Sequence, residues 1–113
     1  MRKHSRPRPA VTVGIDLGDR FSHYCVLNEY SEVIEEGRMA TTRAALEKHF
    51  RGEGGQRIAV ECGTHSAWVS QLLEGMGDEV VVANARKIRA ITGSESKNDR
   101  NDAEKLARFA ATI

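Results

Sequence analysis

The feature that most constrains the fold is a pair of short apolar segments separated by a segment of helical length. The two apolar segments are RIAVE at residues 57–61 and EVVVA at residues 79–83. Between them, apolar side chains recur every three or four residues, as on one face of an α-helix: Val69, Leu72, Leu73 and Met76. Two strands joined through a helix can pair in parallel, and the helix then covers one face of their sheet. The second half of the chain is therefore predicted to contain a β-α-β unit.

Three strand-like segments precede this unit. Residues 11–18, VTVGIDLG, alternate in polarity, with four apolar side chains on one face: Val11, Val13, Ile15 and Leu17. Residues 21–28 and 32–40 predict two more strands, so an antiparallel meander is expected, with its polar third strand near an edge of the sheet. A helix capped by Thr41 or Thr42 is predicted next. The predicted fold class is α/β, a mixed sheet of a three-strand meander and two parallel strands with helices packed on it.

The ends of the chain predict a tail and a last helix. Residues 1–10 are expected to be a disordered basic tail, because they contain two prolines and no periodic apolar pattern. The remaining residues, 11–113, suit one domain. Ser66 is predicted to cap the helix of the β-α-β unit, and the last helix is predicted from about Asn98 onward. That helix reaches Ile113 without a stop signal, so we expect the chain to be a piece of a longer polypeptide.

Composition excludes few classes of function. The 17 basic and 16 acidic residues nearly balance, so net charge alone indicates no particular partner. No apolar run approaches the roughly 20 residues that span a bilayer, and no signal-peptide core follows the basic N-terminus. A soluble cytoplasmic protein that does not bind membranes is therefore expected. Cys25 and Cys62 stand alone in apolar stretches and are predicted to be buried, reduced thiols.

Four acidic residues lie at positions where a carboxylate needs a partner. Asp16 has the phase opposite to the apolar face of the first strand, and Glu61 ends the strand RIAVE. If these strands are parallel neighbours, the two carboxylates emerge side by side at the edge where open α/β sheets hold ligands. Asp99 and Asp102 lie on the same stripe of the last helix as its alanines and leucine. Docking that stripe on the sheet would bring the four carboxylates together.

Such a cluster of carboxylates predicts a divalent cation site. Two carboxylates about 4 Å apart repel each other by roughly 4 kcal/mol even at an effective dielectric constant near 20. Oxygen-only ligands favour Mg²⁺ or Mn²⁺ over zinc, and two such ions can activate a water and stabilise the leaving oxygen of a phosphodiester. Each acid alone also has a purely structural interpretation, as a turn residue, as half of an ion pair, or as a first-turn acid that complements the helix dipole.

Three segments of the sequence resemble a known family. GIDLGDRFSHYCVLN, VECGTHSAW and VVVANARKIRAITGSESKNDRNDAEKLARFA, in that order, resemble the N-terminal domain of the DEDD transposases. These are insertion-sequence recombinases whose catalytic domain is similar to the Holliday-junction resolvase RuvC and so to the ribonuclease H fold. The resemblance extends over residues 11–113, and KNDRNDAEKLA is its most specific part. It implies that the mixed sheet is ribonuclease H-like.

The resemblance also implies a chemistry. It assigns the catalytic and metal-binding roles to four acids: Asp16, Glu61, Asp99 and Asp102. It implies Mg²⁺- or Mn²⁺-dependent cleavage and transfer of DNA strands during insertion-sequence transposition. Family members join this domain, through a coiled-coil region, to a C-terminal domain that supplies a nucleophilic serine, and those studied as recombinases are guided by a bridge RNA. DNA, a guide RNA and further copies of the full-length protein are thus the implied partners, with the protein located on the nucleoid.

Basic residues near the last pair of acids are predicted to contact DNA phosphates. They are Arg86, Lys87, Arg89, Lys97 and Arg100. A solvated cationic surface is the alternative interpretation for each of them. Three histidines lack the spacing of zinc ligands and are interpreted as surface or partly packed residues: His23, His49 and His65. Trp68, at the start of the second predicted helix, is interpreted as a core or capping residue.

Two other classes of function compete with a transposase. GIDLG followed by a strand also resembles the first phosphate loop of actin-like sugar kinases and ATPases, which share the ribonuclease H topology. Such a lobe needs a further glycine-rich phosphate segment, where this chain has the acidic KNDRNDA. The other alternative is a non-catalytic module that binds nucleic acid or oligomerises through its last helix. Binding of nucleotide without binding of nucleic acid would favour the kinase lobe, and metal binding that does not depend on the four acids would favour the module.

Overall fold

A five-stranded mixed sheet forms the centre of the molecule. The computed structural model describes residues 11–51, 55–84 and 99–113, except the side chains of residues 99–101, so the predicted tail at residues 1–10 lies outside the described part. The strands, in chain order, are β1 (Thr12–Asp16), β2 (Phe21–Leu27), β3 (Val33–Ala40), β4 (Arg57–Glu61) and β5 (Glu79–Ala83). Across the sheet their order is β3-β2-β1-β4-β5.

The pairing of the strands confirms the predicted topology. β1 pairs with β2 and β2 with β3 in antiparallel fashion, which is the predicted meander, and β3 forms an edge of the sheet as its polar composition indicated. β4 pairs in parallel with both β1 and β5. The parallel pairs arise because each connection into or out of β4 contains a helix. The observed α/β architecture is consistent with a ribonuclease H-like domain.

In the described part of the chain, three helices cover the two faces of the sheet. They are α1 (Arg43–Phe50), α2 (Ser66–Gly75) and α3 (Asp99–Ala111). Thr42 caps α1, since its hydroxyl accepts a hydrogen bond from the backbone N–H of Ala45 at 3.1 Å. The predicted cap of α2 is wrong: His65 is the N-cap residue, and the Ser66 hydroxyl instead donates to the carbonyl of Gly63 at 2.9 Å.

The larger hydrophobic cluster lies between the sheet and the pair α1 and α2. As the alternation in β1 predicted, Val13 and Ile15 are fully buried in this cluster, and Val11 and Leu17 pack against it. β4 contributes Ile58 and Val60 from the same face. The helices and the meander supply the remaining buried members: Tyr24, Val26, Met39, Leu46, Phe50, Val69, Leu72 and Leu73. Trp68 also packs on this cluster, in agreement with its predicted core role.

Helix α3 lies on the opposite face, in close contact with β1. Its buried residues Ala103 and Ala107 meet Cys25 and Leu27 of β2, and Leu106 and Ala110 pack on Ala59 of β4. The alanines among these residues let the helix approach the strands closely. The closest approach is at Gly14, where an added Cβ would overlap the carbonyl oxygen of Ala103 and the backbone nitrogen of Ala107.

The two cysteines have different environments. Cys25 is fully buried under α3, and its burial, followed by the charges of Glu36 and Glu104, raises the pKa of its thiol to about 11. It is therefore a protonated thiol at neutral pH, as expected for a buried cysteine. The prediction for Cys62 is wrong, because this residue follows the end of β4 and is exposed. In the described part of the chain, no helix is long and apolar enough to cross a membrane.

Asp78 gives a prediction about the dependence of stability on pH. Its side chain is buried just before β5, where one carboxylate oxygen accepts a hydrogen bond from the backbone N–H of Gln56 at 3.2 Å and the other has no partner among the described residues. Burial raises the pKa of Asp78 above its ordinary value of 3.8, and the Gln56 hydrogen bond lowers it by less. As the pH rises from 3.8 through the raised pKa, the unfolded chain releases this proton before the folded chain does, so stability falls over that window.

We expect Asp78→Asn to stabilise the protein at pH 7 and to have little effect well below pH 3.8, where the carboxyl is protonated in both states. Thermal unfolding followed by circular dichroism at the two pH values measures the difference, which should be a few degrees at pH 7. Glu74→Gln, at an exposed position of α2, is the matched control. An equal shift of Tm at both pH values for Asp78→Asn would contradict the assignment.

Candidate metal centre

Asp16 and Glu61 lie side by side at the carboxyl ends of two neighbouring strands. Asp16 ends β1 and Glu61 ends β4, and the parallel register pairs the preceding residues, Ile15 with Val60. Neighbouring strands are about 4.8 Å apart, so the two backbones come close at this point. Both residues are half-buried. We call these two strand ends the acidic edge.

Both carboxylates are on the face of the sheet that α3 covers. Side chains two residues apart on a strand share a face. Gly14 and Ala59, two residues before Asp16 and Glu61, both contact α3. The arrangement that the sequence predicted for these two acids is thus present in the fold.

The direction of α3 brings its first turn to the acidic edge. The guanidinium of Arg57, at the amino end of β4, donates to the carbonyls of Ala110 and Ile113 at the other end of α3. The helix therefore runs antiparallel to β1 and β4. From Gly14 to Asp16 the strand advances about 7 Å, which equals four to five residues of helix at about 1.5 Å each. Gly14 contacts α3 between Ala103 and Ala107. About four to five residues from there toward the start of the helix is its first turn, so Asp16 lies level with that turn.

Asp102 belongs to this first turn. It is half-buried, and the buried residues Ala103 and Leu106 follow on the side of the helix that meets the sheet. The backbone of Asp99 begins α3, and its side chain lies outside the described part. Among the described side chains, no three His, Cys, Asp or Glu come together closely enough to hold a metal ion. Asp16, Glu61 and Asp102 share one edge of the fold, therefore, and do not form a closed ligand set by themselves.

A comparison with models of protein families assigns the chain to a family. The model of the DEDD transposase family, described as transposase, matches residues 13–112. The chain belongs to this family. A search of the curated proteins gave no match. Membership implies a transposase role with DNA as the substrate and the use of a divalent metal.

A hydrogen-bonded bridge in this transposase chain joins the two loops that follow β1 and β4. The indole N–H of Trp68 donates to Nδ1 of His65 at 3.0 Å, so Nε2 of His65 carries the proton and donates to Asp19 at 3.0 Å. Asp19 follows β1 and His65 follows β4, so the bridge holds together the loops that leave Asp16 and Glu61. The Asp19 side chain is 91% exposed, so this contact adds little stability.

Sequence reasoning did not find this bridge. The three-residue spacing of His65 and Trp68 in THSAW is a signal for a contact on one side of a helix start. Nothing in the sequence connects them to Asp19, which is 46 residues from His65. The interpretation of His65 as a partly packed residue agrees with its 25% side-chain exposure.

The predicted DNA-contacting residues fall outside the described part of the transposase chain. They are Arg86, Lys87, Arg89, Lys97 and the side chain of Arg100. The segment 85–98 that contains most of them connects β5 to α3. Its described neighbours are Asn84, after the carboxyl end of β5, and Asp99, at the start of α3. Both neighbours are on the side of the fold where the acidic edge lies.

Proposed function

We propose that this chain is the cation-binding part of a transposase active site that cleaves and transfers DNA strands. Asp16, Glu61, Asp99 and Asp102 are the proposed ligands of Mg²⁺ or Mn²⁺. The observation that carries the proposal is the position of Asp16 and Glu61 on adjacent parallel strand ends, level with the first turn of α3. Carboxylate oxygens are the donors that both ions prefer.

The electrostatics of the acidic edge favour a cation. Asp16 and Glu61 lie on neighbouring strands at the same end and on the same face, so their negative charges repel each other. Asp102 adds a third charge from α3, although the partial positive charge at the helix N-terminus offsets some of it. A doubly charged ion at this edge would convert the repulsion into attraction. Half-burial strengthens both effects, because the dielectric constant is lower than in bulk water.

The proposed chemistry is phosphoryl transfer. Bound divalent ions polarise a phosphodiester oxygen and stabilise the charge on the leaving oxygen. The residues of this chain hold and orient: the carboxylates would hold the cations over the strand ends, and the contact of α3 with Gly14 fixes the height of Asp102 above them. The attacking hydroxyl is proposed to be a serine supplied by another part of the transposase.

The proposal extends to partners and location. The basic residues of the segment 85–98, together with Arg100, are proposed to contact phosphates of the DNA, since they flank two of the acids in the sequence. A bridge RNA as guide and a homo-oligomeric full-length transposase are further proposals that rest on the family. Action on DNA would place the protein in the cytoplasm, on the nucleoid.

The test of the proposed function is Mn²⁺ binding, measured by the relaxation rate of water protons. We expect the chain to bind Mn²⁺ and the double variant Asp16→Asn/Glu61→Gln to lose this binding. The matched control is Glu29→Gln/Glu74→Gln, which removes the same charge from exposed positions that lie outside β1, β4 and α3. Equal binding by both double variants would refute the proposed site.

A second measurement separates the transposase from a kinase lobe. We expect the chain to bind DNA and not to bind ATP with Mg²⁺, as followed by calorimetric titration. Binding of ATP without binding of DNA would favour the actin-like kinase or ATPase lobe instead. DNA binding that persists together with Mn²⁺ binding in the acid variant would favour the non-catalytic module.

A further inference from the structure

Three residues of β2 and β3 lie beside the acidic edge, on the same face of the sheet. In the antiparallel register Asp16 lies opposite His23, and His23 lies opposite Arg38. Directly opposed residues of antiparallel strands point to the same face of the sheet, so all three are on the face that carries α3. Phe21, two residues before His23, shares this face. We call Phe21, His23 and Arg38 the cationic–aromatic surface.

The cationic–aromatic surface is open to solvent and partly organised. The guanidinium carbon of Arg38 lies 4.4 Å from the centroid of the Phe21 ring, a cation–π contact that orients the arginine. Phe21 is 48% exposed, which is high for a large apolar side chain on a strand. Arg38 is exposed and His23 is half-buried. A positive charge and an aromatic face are thus presented together.

The position of this surface relative to the acidic edge is set by the spacing of the strands. At about 4.8 Å per strand, His23 lies about 5 Å from Asp16 and Arg38 about 10 Å from Asp16, measured between backbones. One strand of a duplex rises about 3.4 Å along the axis per phosphate, so the distance from Asp16 to Arg38 spans at most about three phosphates. Glu36 shares the face, but it lies about 7 Å further from the acidic edge along β3.

We propose that the cationic–aromatic surface binds the DNA strand that runs from the acidic edge across β2 and β3. Arg38 contacts a phosphate, His23 donates a hydrogen bond to a phosphate nearer the acidic edge, and Phe21 stacks on a base. The inference rests on the proposed function, since the acidic edge is taken as the place where the strand is cut. The acids repel phosphate, so a nearby cation that attracts the neighbouring phosphates fits a polyanion that has to cross this region.

Binding of labelled single-stranded DNA in the presence of Mn²⁺, measured by fluorescence anisotropy at several salt concentrations, tests the proposal. Loss of one phosphate contact makes the negative slope of log affinity against log salt shallower by about 0.7. It also lowers the affinity about fivefold at 0.1 M salt. We expect these changes for Arg38→Gln. For Phe21→Leu we expect about tenfold weaker binding, the usual size of a lost stacking contact.

Two matched controls lie elsewhere on the fold. Arg43→Gln removes an exposed arginine of α1, which covers the other face of the sheet, and Tyr30→Leu removes an exposed aromatic side chain from the turn between β2 and β3. Both should leave the affinity and the salt slope unchanged. Circular dichroism and thermal unfolding of each variant verify that the fold is retained.

The outcomes separate this inference from the proposed function. Mn²⁺ binding is measured on the same variants, and Arg38→Gln should retain it. If Mn²⁺ binds while Arg38→Gln and Arg43→Gln have equal effects on DNA, the cationic–aromatic surface is refuted and the metal centre stands. If the chain binds no Mn²⁺ but the Arg38 effect is present, the metal centre is refuted and the surface stands as a DNA contact. Tighter binding of RNA than of DNA of the same sequence, lost in Arg38→Gln, would overturn the assignment of DNA as the ligand.

Discussion

Replacing Gly14 by alanine is expected to separate α3 from the sheet. The new Cβ would overlap the backbone of α3 at Ala103 and Ala107 and would lie 2.8 Å from Cβ of Leu106. Backbone atoms in the middle of a helix cannot move aside singly, so the whole helix has to shift. Inserting a methyl group into a packed core commonly costs about 1 to 3 kcal/mol, and a clash with backbone places this substitution at the upper end or beyond.

Chemical denaturation measures this loss, and Gly75→Ala is the matched control. An added Cβ at Gly75, the last residue of α2, meets nothing within 4 Å, so alanine there should leave stability unchanged or raise it slightly. The Gly14 variant should also lose Mn²⁺ binding, because α3 carries Asp102 to the acidic edge. Equal stability of the two variants would show that α3 does not pack on β1 as described.

The meander, the two parallel strands and the main core could be predicted because each depends on a local pattern. The alternation in β1 set which side chains enter the large cluster, and this held for Val13 and Ile15. The helical connections of β4 allowed parallel pairing, and the observed pairing of β4 with β1 brings Asp16 beside Glu61. The family match over residues 13–112 confirms the resemblance on which the chemical assignment was based.

Features that depend on three-dimensional register were not predictable. The alignment of His23 and Arg38 with Asp16 follows from the lengths of two hairpins, and a shift of one residue would move each side chain to the other face. The environment of Cys62 was predicted wrongly because this residue lies one position past the end of β4, outside the buried strand, and is exposed. Ser66 has the residue type of a helix cap, yet the hydrogen bonds of its hydroxyl go back to Gly63. It is the first residue of α2, and the N-cap is one position earlier, at His65.

Two acids on α3 allow the role of Asp102 as a metal ligand to be tested against a control on the same helix. Asp102 and Glu104 are both half-buried acids, and Glu104 accepts a hydrogen bond from Nε of Arg108 at 2.8 Å. Asp102→Asn and Glu104→Gln therefore remove one charge each from the same helix. We expect Asp102→Asn to weaken Mn²⁺ binding by about 100-fold or more, since loss of groups that only support a ligand already costs about 10- to 100-fold. Glu104→Gln should leave Mn²⁺ binding unchanged.

For Asp102→Asn, the free energy of unfolding should not fall together with the affinity for Mn²⁺. Without metal, Asp102→Asn relieves repulsion with Asp16 and Glu61, so its free energy of unfolding should equal or exceed that of the unmodified chain. Glu104→Gln loses its pair with Arg108 and should cost about 0.5 kcal/mol or less. If replacing a residue stabilises the fold and abolishes cation binding, the role of that residue is in binding and not in stability. Equal losses of Mn²⁺ affinity in the two variants would instead mean that the ions respond to the overall charge of α3, and the assignment of Asp102 as a ligand would then be wrong.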